Sequence, residues 1–315
     1  MTSHAAVENP AKAGMAIKSR IPGTLAKALR YCRRMTADAH ASASTGFDRQ
    51  LVAAALDAAL SLPQTVPVFA IAGLQGSGKS TLAAQMAALA ETRGVRVAVL
   101  SIDDFYLTRT ERERLAREIH PLLANRGPPG THDLGLAAET LDGLLAGRRT
   151  GLPRFDKLAD DRAPTAQWPI AEDRCDLVLL EGWFLKTPAQ PDAELLAPVN
   201  ALERDEDPDG VWRGWCNAAL ARDYPVLWQR IDALWWLQAP GFEVVPAWRW
   251  QQEQALRAAD SSNSGGKAEA RPGMDRAQVS RFVQLFERVS RQALRILPAI
   301  AERTIRLDAQ RRPIP

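Results

Sequence analysis

The chain has 315 residues, with 40 lysines and arginines against 37 aspartates and glutamates, so its formal net charge is only +3. This near balance argues against a dedicated nucleic-acid-binding protein and is compatible with a small anionic substrate. The three cysteines are widely spaced and odd in number, which excludes an obvious disulfide framework, and no apolar run is long enough to cross a bilayer. We therefore expect a soluble, cytoplasmic α/β protein without a membrane or nucleic-acid partner.

The first 62 residues precede the first predicted strand. Residues 1–15 lack hydrophobic periodicity and are predicted to form a disordered tail. Residues 16–62 contain apolar positions at helical spacing and are predicted to form N-terminal helices. Pro63 and Pro67 end this pattern, so the main domain is predicted to comprise residues 63–315.

The most informative stretch runs from Gly73 to Thr81 and matches the phosphate-binding pattern G-x-x-x-x-G-K-[ST]. A buried strand is predicted over 66–72 and a helix over 80–91, so the stretch joins a strand to a helix, as a phosphate-binding loop does. Lys79 is predicted to reach the β- and γ-phosphates, and the Ser80 hydroxyl to hold Mg²⁺. The predicted nucleotide-binding residues of this loop are Gly73, Gln75, Gly76, Ser77, Gly78, Lys79, Ser80 and Thr81.

Further strands follow at intervals typical of a doubly wound, mostly parallel sheet flanked by helices. They are predicted over 95–102, 177–180, 233–237 and 304–307. Ligands bind at the carboxyl edge of such a sheet, where Asp103, Asp104 and Glu181 directly follow two of the strands. Phosphoryl transfer requires one carboxylate at the acceptor hydroxyl and another near Mg²⁺. Lys79, Asp103 and Glu181 are the predicted catalytic residues, and Glu181 is predicted to join Ser80 at the metal.

Two polar segments between these strands, 125–133 and 153–162, combine glycine and proline with clustered charges and are predicted to be binding loops. Their cations are suited to hold a small polar anion. For Asp133 a second interpretation stays open, because it can simply cap a helix predicted over 134–146. The candidate binding residues of these loops are Arg126, His132, Asp133, Asp156, Lys157 and Arg162.

Residues 250–273 are predicted to form a lid over the nucleotide, because a Ser- and Gly-rich stretch within them cannot pack; a plain linker is the alternative. Arg249 precedes this segment and is predicted to approach the nucleotide phosphates. Seven of the nine tryptophans fall between Trp212 and Trp250, and core packing accounts for most of them. Trp248 and Trp250 are the pair with a possible ligand role.

Together these segments resemble the D-glycerate 3-kinases, a branch of the P-loop kinases that also includes uridine kinase and phosphoribulokinase. The resemblance covers the phosphate loop and segments 101–108, 126–133, 153–162, 181–184, 209–213 and 248–249. It implies a P-loop NTPase fold with a lid, ATP and Mg²⁺ as cofactors, and conversion of D-glycerate to 3-phosphoglycerate. It also implies that Asp103 is the acceptor base and that Pro153, Phe155, Asp156 and Arg162 contribute to the acceptor pocket. Asp104 and Tyr106, in the same segment as Asp103, are predicted to bind the substrate as well.

Other functions stay open at this stage. A related kinase could instead act on a nucleoside, a sugar phosphate or a pantothenate-like acceptor. A regulatory nucleotide-binding switch is disfavoured, because the chain has no Asn-Lys-x-Asp guanine-reading motif and its acceptor-like loops would have no role in such a protein. No oligomeric state is predicted.

Overall fold

The computed structural model of the protein describes residues 46–263 and 274–314. The strands in these ranges are β1 (Val68–Gly73), β2 (Val97–Ser101), β3 (Thr150–Gly151), β4 (Phe155–Asp156), β5 (Asp161–Arg162), β6 (Ile170–Ala171), β7 (Leu177–Gly182), β8 (Ala233–Gln238) and β9 (Arg303–Arg306). The helices are α1 (Arg49–Leu60), α2 (Lys79–Thr92), α3 (Arg109–Glu118), α4 (Leu134–Leu145), α5 (Ala201–Glu206), α6 (Val211–Arg222), α7 (Pro225–Trp228), α8 (Val245–Asn263) and α9 (Arg276–Ile300).

The main sheet contains five parallel strands in the order β2-β7-β1-β8-β9. Every residue of β1 and β7 is buried, because helices cover both faces of the sheet and each strand is almost continuously apolar. The five strands predicted from the sequence are confirmed, with their ends shifted by a few residues. The predicted doubly wound α/β fold is likewise confirmed. β3 pairs with β6 and β4 with β5 in two small antiparallel ribbons outside this sheet.

Helix α1 is the described part of the predicted N-terminal helical segment. The Asp48 side chain caps it by accepting a hydrogen bond from the Gln50 backbone amide, at 2.7 Å. Its apolar residues Val52 and Leu56 are buried in the same hydrophobic core as the sheet. The predicted disordered tail and residues 16–45 lie outside the described residues.

Helix α9 is fixed to the rest of the domain by a buried ion pair. Arg288 donates hydrogen bonds to both carboxylate oxygens of Glu203 in α5, at 2.8 and 2.6 Å, and Glu203 is fully buried. A buried ion pair needs such bidentate hydrogen bonding to offset the free energy lost when both charges leave water. The first part of the predicted lid continues helix α8, and residues 264–273 of it lie outside the described residues. Across the described ranges, no helix is both long enough and apolar enough to span a membrane.

Candidate active site

The phosphate-binding loop connects the end of β1 to the start of α2. Gly76 and Gly78 have φ angles of 81° and 94°, a backbone conformation that favours glycine. A Cβ atom on Gly76 would lie only 2.7 Å from the Cβ atom of Trp248. Gly78 is the N-cap of α2 and supplies no capping side chain. The backbone amides of the first helical turn are therefore available to bind an anion, which the positive end of the helix also attracts.

The other predicted loop residues take different places. Gln75 is half-buried, and its two buried amide atoms have no hydrogen-bond partner in the described residues. The Ser77 hydroxyl is also buried, and it would collide with a Cβ atom on Gly73. Thr81 is half-buried on the first turn of α2.

Lys79, Ser80 and Glu181 meet where β1 and β7 run side by side. The Ser80 hydroxyl donates a hydrogen bond to Glu181 Oε1 at 2.9 Å, and Lys79 Nζ lies 3.9 Å from Glu181 Oε2. Only 6% of Glu181 is exposed, and its Oε2 accepts no hydrogen bond from the described residues. A hydroxyl and a carboxylate oxygen at this spacing form a donor set suited to Mg²⁺, which keeps several waters and the nucleotide phosphates as its other ligands.

Asp103 lies in a short 3₁₀ turn, Ile102–Phe105, that directly follows β2. Its carboxylate accepts hydrogen bonds from the Tyr106 hydroxyl at 2.7 Å and from Lys157 Nζ at 2.8 Å. Burial favours the neutral acid, but the charges of Lys157 and Lys79 and the two hydrogen bonds outweigh it and hold the pKa of Asp103 well below its usual range. The carboxylate is therefore ionised at neutral pH and can accept a proton from a hydroxyl group.

Asp104, the next residue, has a different environment. It caps the same turn by accepting a hydrogen bond from the Ser101 backbone amide at 3.2 Å, and it lies 3.3 Å from Arg154 Nη1. Burial raises the pKa of Asp104 despite the charge of Arg154. Asp104 therefore supports the turn, whereas Asp103 presents its carboxylate beside Tyr106 and Lys157.

His132 is held against Tyr106 by pairing between their backbone segments. The Leu107 amide donates to the Thr131 carbonyl at 2.9 Å, and the two rings lie 4.8 Å apart. His132 Nδ1 lies 2.6 Å from the Tyr224 hydroxyl, which accepts a hydrogen bond from the Gly130 amide at 2.8 Å. His132 Nε2 is buried and has no hydrogen-bond partner in the described residues. Burial lowers the pKa of His132 to about 3, so the ring is neutral.

Arg126 is anchored beside the aromatic ring of Phe155. Its guanidinium lies 5.5 Å from the ring centroid and forms an ion pair with Asp160. Asp160 adopts a φ angle of 54°, unusual for a residue other than glycine. Arg112, which is fully buried, donates to the Asp160 carbonyl at 2.6 Å and so supports this backbone. Arg112 was not among the residues predicted from the sequence.

Arg162 and the remaining loop residues have partners within the protein. Arg162 Nη2 donates to the Tyr106 carbonyl and to the Asp133 carboxylate, each at 3.0 Å. Asp133 also caps α4, as its alternative interpretation predicted, by accepting a hydrogen bond from the Leu136 amide at 2.9 Å. Asp156 is exposed, and one of its oxygens accepts hydrogen bonds from two backbone amides of its own turn.

Arg249 faces the acceptor residues from helix α8. It pairs with Glu253 at 3.3 Å and lies 6.0 Å from the centroid of the Phe282 ring. Burial and the nearby charge of Arg126 lower the pKa of Arg249, while Glu253 and Asp103 act in the opposite direction. Its neighbour Trp248 is buried, and its indole nitrogen donates to the Ala309 carbonyl at 2.8 Å. Trp248 therefore has a packing role, as most of the tryptophans were expected to have.

A phosphate-binding loop after the central strand, a Ser–Glu pair beside it and an ionised carboxylate after the next strand define a P-loop kinase. Comparison with known proteins agrees. The chain is 35% identical over 201 residues to the uncharacterised kinase mug58 of Schizosaccharomyces pombe, covering 61% of this chain and 71% of that protein. It is 32% identical over 222 residues to the chloroplastic D-glycerate 3-kinase of Arabidopsis thaliana, covering 67% of this chain and 44% of the relative.

The protein belongs to the same family as the kinase mug58, and it is a kinase with the P-loop fold. A solved structure of D-glycerate 3-kinase from Cryptococcus neoformans shares its fold, with a TM-score of 0.64 and 24% identity over 84% of this chain and 96% of that one. No model of a protein family matches the chain. The cytoplasmic location stays a prediction, since the Arabidopsis relative is chloroplastic.

Proposed function

We propose that the protein transfers the γ-phosphoryl group of Mg-ATP to the 3-hydroxyl of D-glycerate, which gives 3-phosphoglycerate and ADP. The observation that carries this proposal is the ionised Asp103 carboxylate, hydrogen-bonded by Tyr106 and Lys157 and within electrostatic range of Lys79. The relatives named D-glycerate 3-kinase support the choice of acceptor.

In this proposal Asp103 takes the proton of the 3-hydroxyl as that oxygen forms a bond to the γ-phosphorus and the bond to the ADP oxygen breaks. Lys79 and the amides of the phosphate loop stabilise charge on the transferred group. Ser80 and Glu181 would hold Mg²⁺, which would supply positive charge to neutralise the phosphate oxygens. The proton then passes from Asp103 to solvent.

Lys157 links the base to the substrate carboxylate. Its side chain is 61% exposed although it pairs with Asp103, so the ammonium group can exchange partners at little cost. When Asp103 becomes protonated, Lys157 loses its counter-ion, and the carboxylate of glycerate replaces it. This exchange couples recognition of the acid to the proton transfer.

The cations near Asp103 support the choice of an anionic acceptor. Arg126, Arg162 and Arg249 join Lys157 around the base and favour a short hydroxy acid over a neutral polyol. Glycerol retains the hydroxyl groups but lacks the carboxylate, so it offers these cations no charged hydrogen bond beyond those they already form within the protein. We therefore expect glycerol to be a poor substrate.

A coupled assay of ADP release tests the proposal with D-glycerate, L-glycerate, glycerol, uridine and pantothenate as acceptors. D-glycerate should give the highest kcat/KM, and ³¹P NMR should identify the product as the 3-phosphate. A comparable kcat/KM for glycerol, or a preference for uridine or pantothenate, would overturn the choice of acceptor while leaving the kinase class intact.

A further inference from the structure

The segment after β9 folds into a tight hairpin against the phosphate-binding loop. Leu307 and Pro313 form an antiparallel bridge, and the Arg311 amide donates to the Asp308 carbonyl at 2.9 Å. The Asp308 carboxylate accepts hydrogen bonds from the amides of Gln310 and Arg312, each at 2.8 Å. These bonds fix the backbone of the hairpin without any contribution from the Arg311 side chain.

The Arg311 side chain connects this hairpin to two other elements. Its Nε donates to the Gly76 carbonyl at 2.6 Å, and its Nη2 donates to the Gln251 side chain in α8 at 2.8 Å. The guanidinium also lies 5.2 Å from the centroid of the Trp248 ring. Trp248 also lies close to Gly76, so both the helix α8 and the Arg311 side chain pack beside this glycine.

Arg311 has a φ angle of 66°, in the left-handed region that a residue with a Cβ atom adopts at a cost. Glycine would form the same turn without strain. Strained backbone of this kind persists where the side chain serves a purpose, and this one ends on the phosphate loop. The next residue provides a contrast, because Arg312 pairs with Asp308 in its own hairpin and its side chain is 72% exposed.

We propose that Arg311 is a positioning residue that holds the phosphate-binding loop in its nucleotide-binding conformation. The Gly76 carbonyl belongs to a peptide that glycine leaves free to rotate. A charge-assisted hydrogen bond on the outer side of the loop fixes that peptide, so the loop amides are already oriented when the phosphates arrive. This role is independent of the acceptor, so it goes beyond the proposed function.

Calorimetric titration with two probes, ADP and tripolyphosphate, tests the proposal without any acceptor. Arg311→Ala should weaken both probes by the same factor, about tenfold or more, which is the scale of one charged hydrogen bond. Arg311→Gly should show the same loss, because it keeps the turn and removes the side chain. Arg311→Lys should recover part of the affinity, and Arg312→Ala should bind both probes like the wild type.

Three results would overturn the proposal. Wild-type affinity in Arg311→Ala would show that the loop needs no such support. Weakened binding of ADP with unchanged binding of tripolyphosphate would indicate that Arg311 contacts the nucleoside instead. An equal loss in Arg312→Ala would assign the effect to the hairpin as a whole. Melting temperatures measured alongside identify a variant that fails to fold. In that case Arg311→Lys and Gln251→Ala, each of which removes only part of the contact, replace it. Weaker binding of both probes in these two variants supports the proposal, and wild-type binding of both overturns it.

Discussion

Replacing Asp103 by asparagine removes the proton acceptor while preserving the shape of the side chain. The amide oxygen can still accept the hydrogen bond from the Tyr106 hydroxyl, but it cannot take a proton from the acceptor. A positioned general base contributes about 10²- to 10⁴-fold to a rate, so kcat should fall by about that factor. The KM for ATP should change by less than about twofold, because Asp103 follows β2 and lies outside the phosphate loop.

The stability of this variant should change little. Lys157 loses its partner, but its side chain is 61% exposed and its charge is readily rehydrated. The melting temperature therefore separates a catalytic defect from a folding defect. Initial rates of ADP release at saturating ATP and D-glycerate give kcat, and thermal unfolding of the same samples provides the comparison.

Asp104→Asn is the matched control, one residue away in the same turn. It weakens the pair with Arg154 and the cap on the Ser101 amide, so its main effect should be on stability, with a smaller loss of kcat than in Asp103→Asn. If Asp104→Asn lost more kcat than Asp103→Asn, the assignment of the base would be wrong.

Three further predictions follow from the geometry. Lys79→Ala should abolish turnover at an unchanged melting temperature; near wild-type kcat would refute the role of the phosphate loop. Lys157→Ala should raise the pKa of Asp103, because burial then opposes its charge with less compensation, so the acid limb of the kcat/KM profile should move to higher pH; a superimposable profile would contradict this coupling. Arg288→Ala should destabilise the protein by about 3–5 kcal/mol in denaturant unfolding, because Glu203 is left buried and unpaired; a loss below about 1 kcal/mol would contradict that reasoning.

Sequence patterns predicted those candidate site residues that lie in short stretches of chain, and the structure brings Lys79, Ser80 and Glu181 together. The phosphate loop follows β1, Asp103 follows β2 and Glu181 lies near the end of β7, and parallel strands bring such ends together. The difference between Asp103 and Asp104 was harder to anticipate. It depends on which carboxylate turns back to cap Ser101, a detail of the 3₁₀ turn that no periodicity reveals.

Residues that act across long separations escaped prediction. Tyr224 reaches His132 over 92 positions, and Arg112 reaches Asp160 over 48. Neither belongs to a local motif, and a buried arginine resembles an exposed one on an amphipathic helix such as α3. The strands β4 and β5 contain two residues each, too few to show an alternating pattern.

The contact between Arg311 and Gly76 joins positions 235 residues apart, and this separation affects how the enzyme is made. Ribosomes add about 5–20 residues per second, so about 10–50 s pass between synthesis of the phosphate loop and synthesis of the arginine that contacts it. The central strand β1 also waits for β7 and β8, its neighbours on either side. A nascent chain therefore carries its phosphate-binding motif before the strands that flank β1 and the arginine that contacts Gly76 have been synthesised.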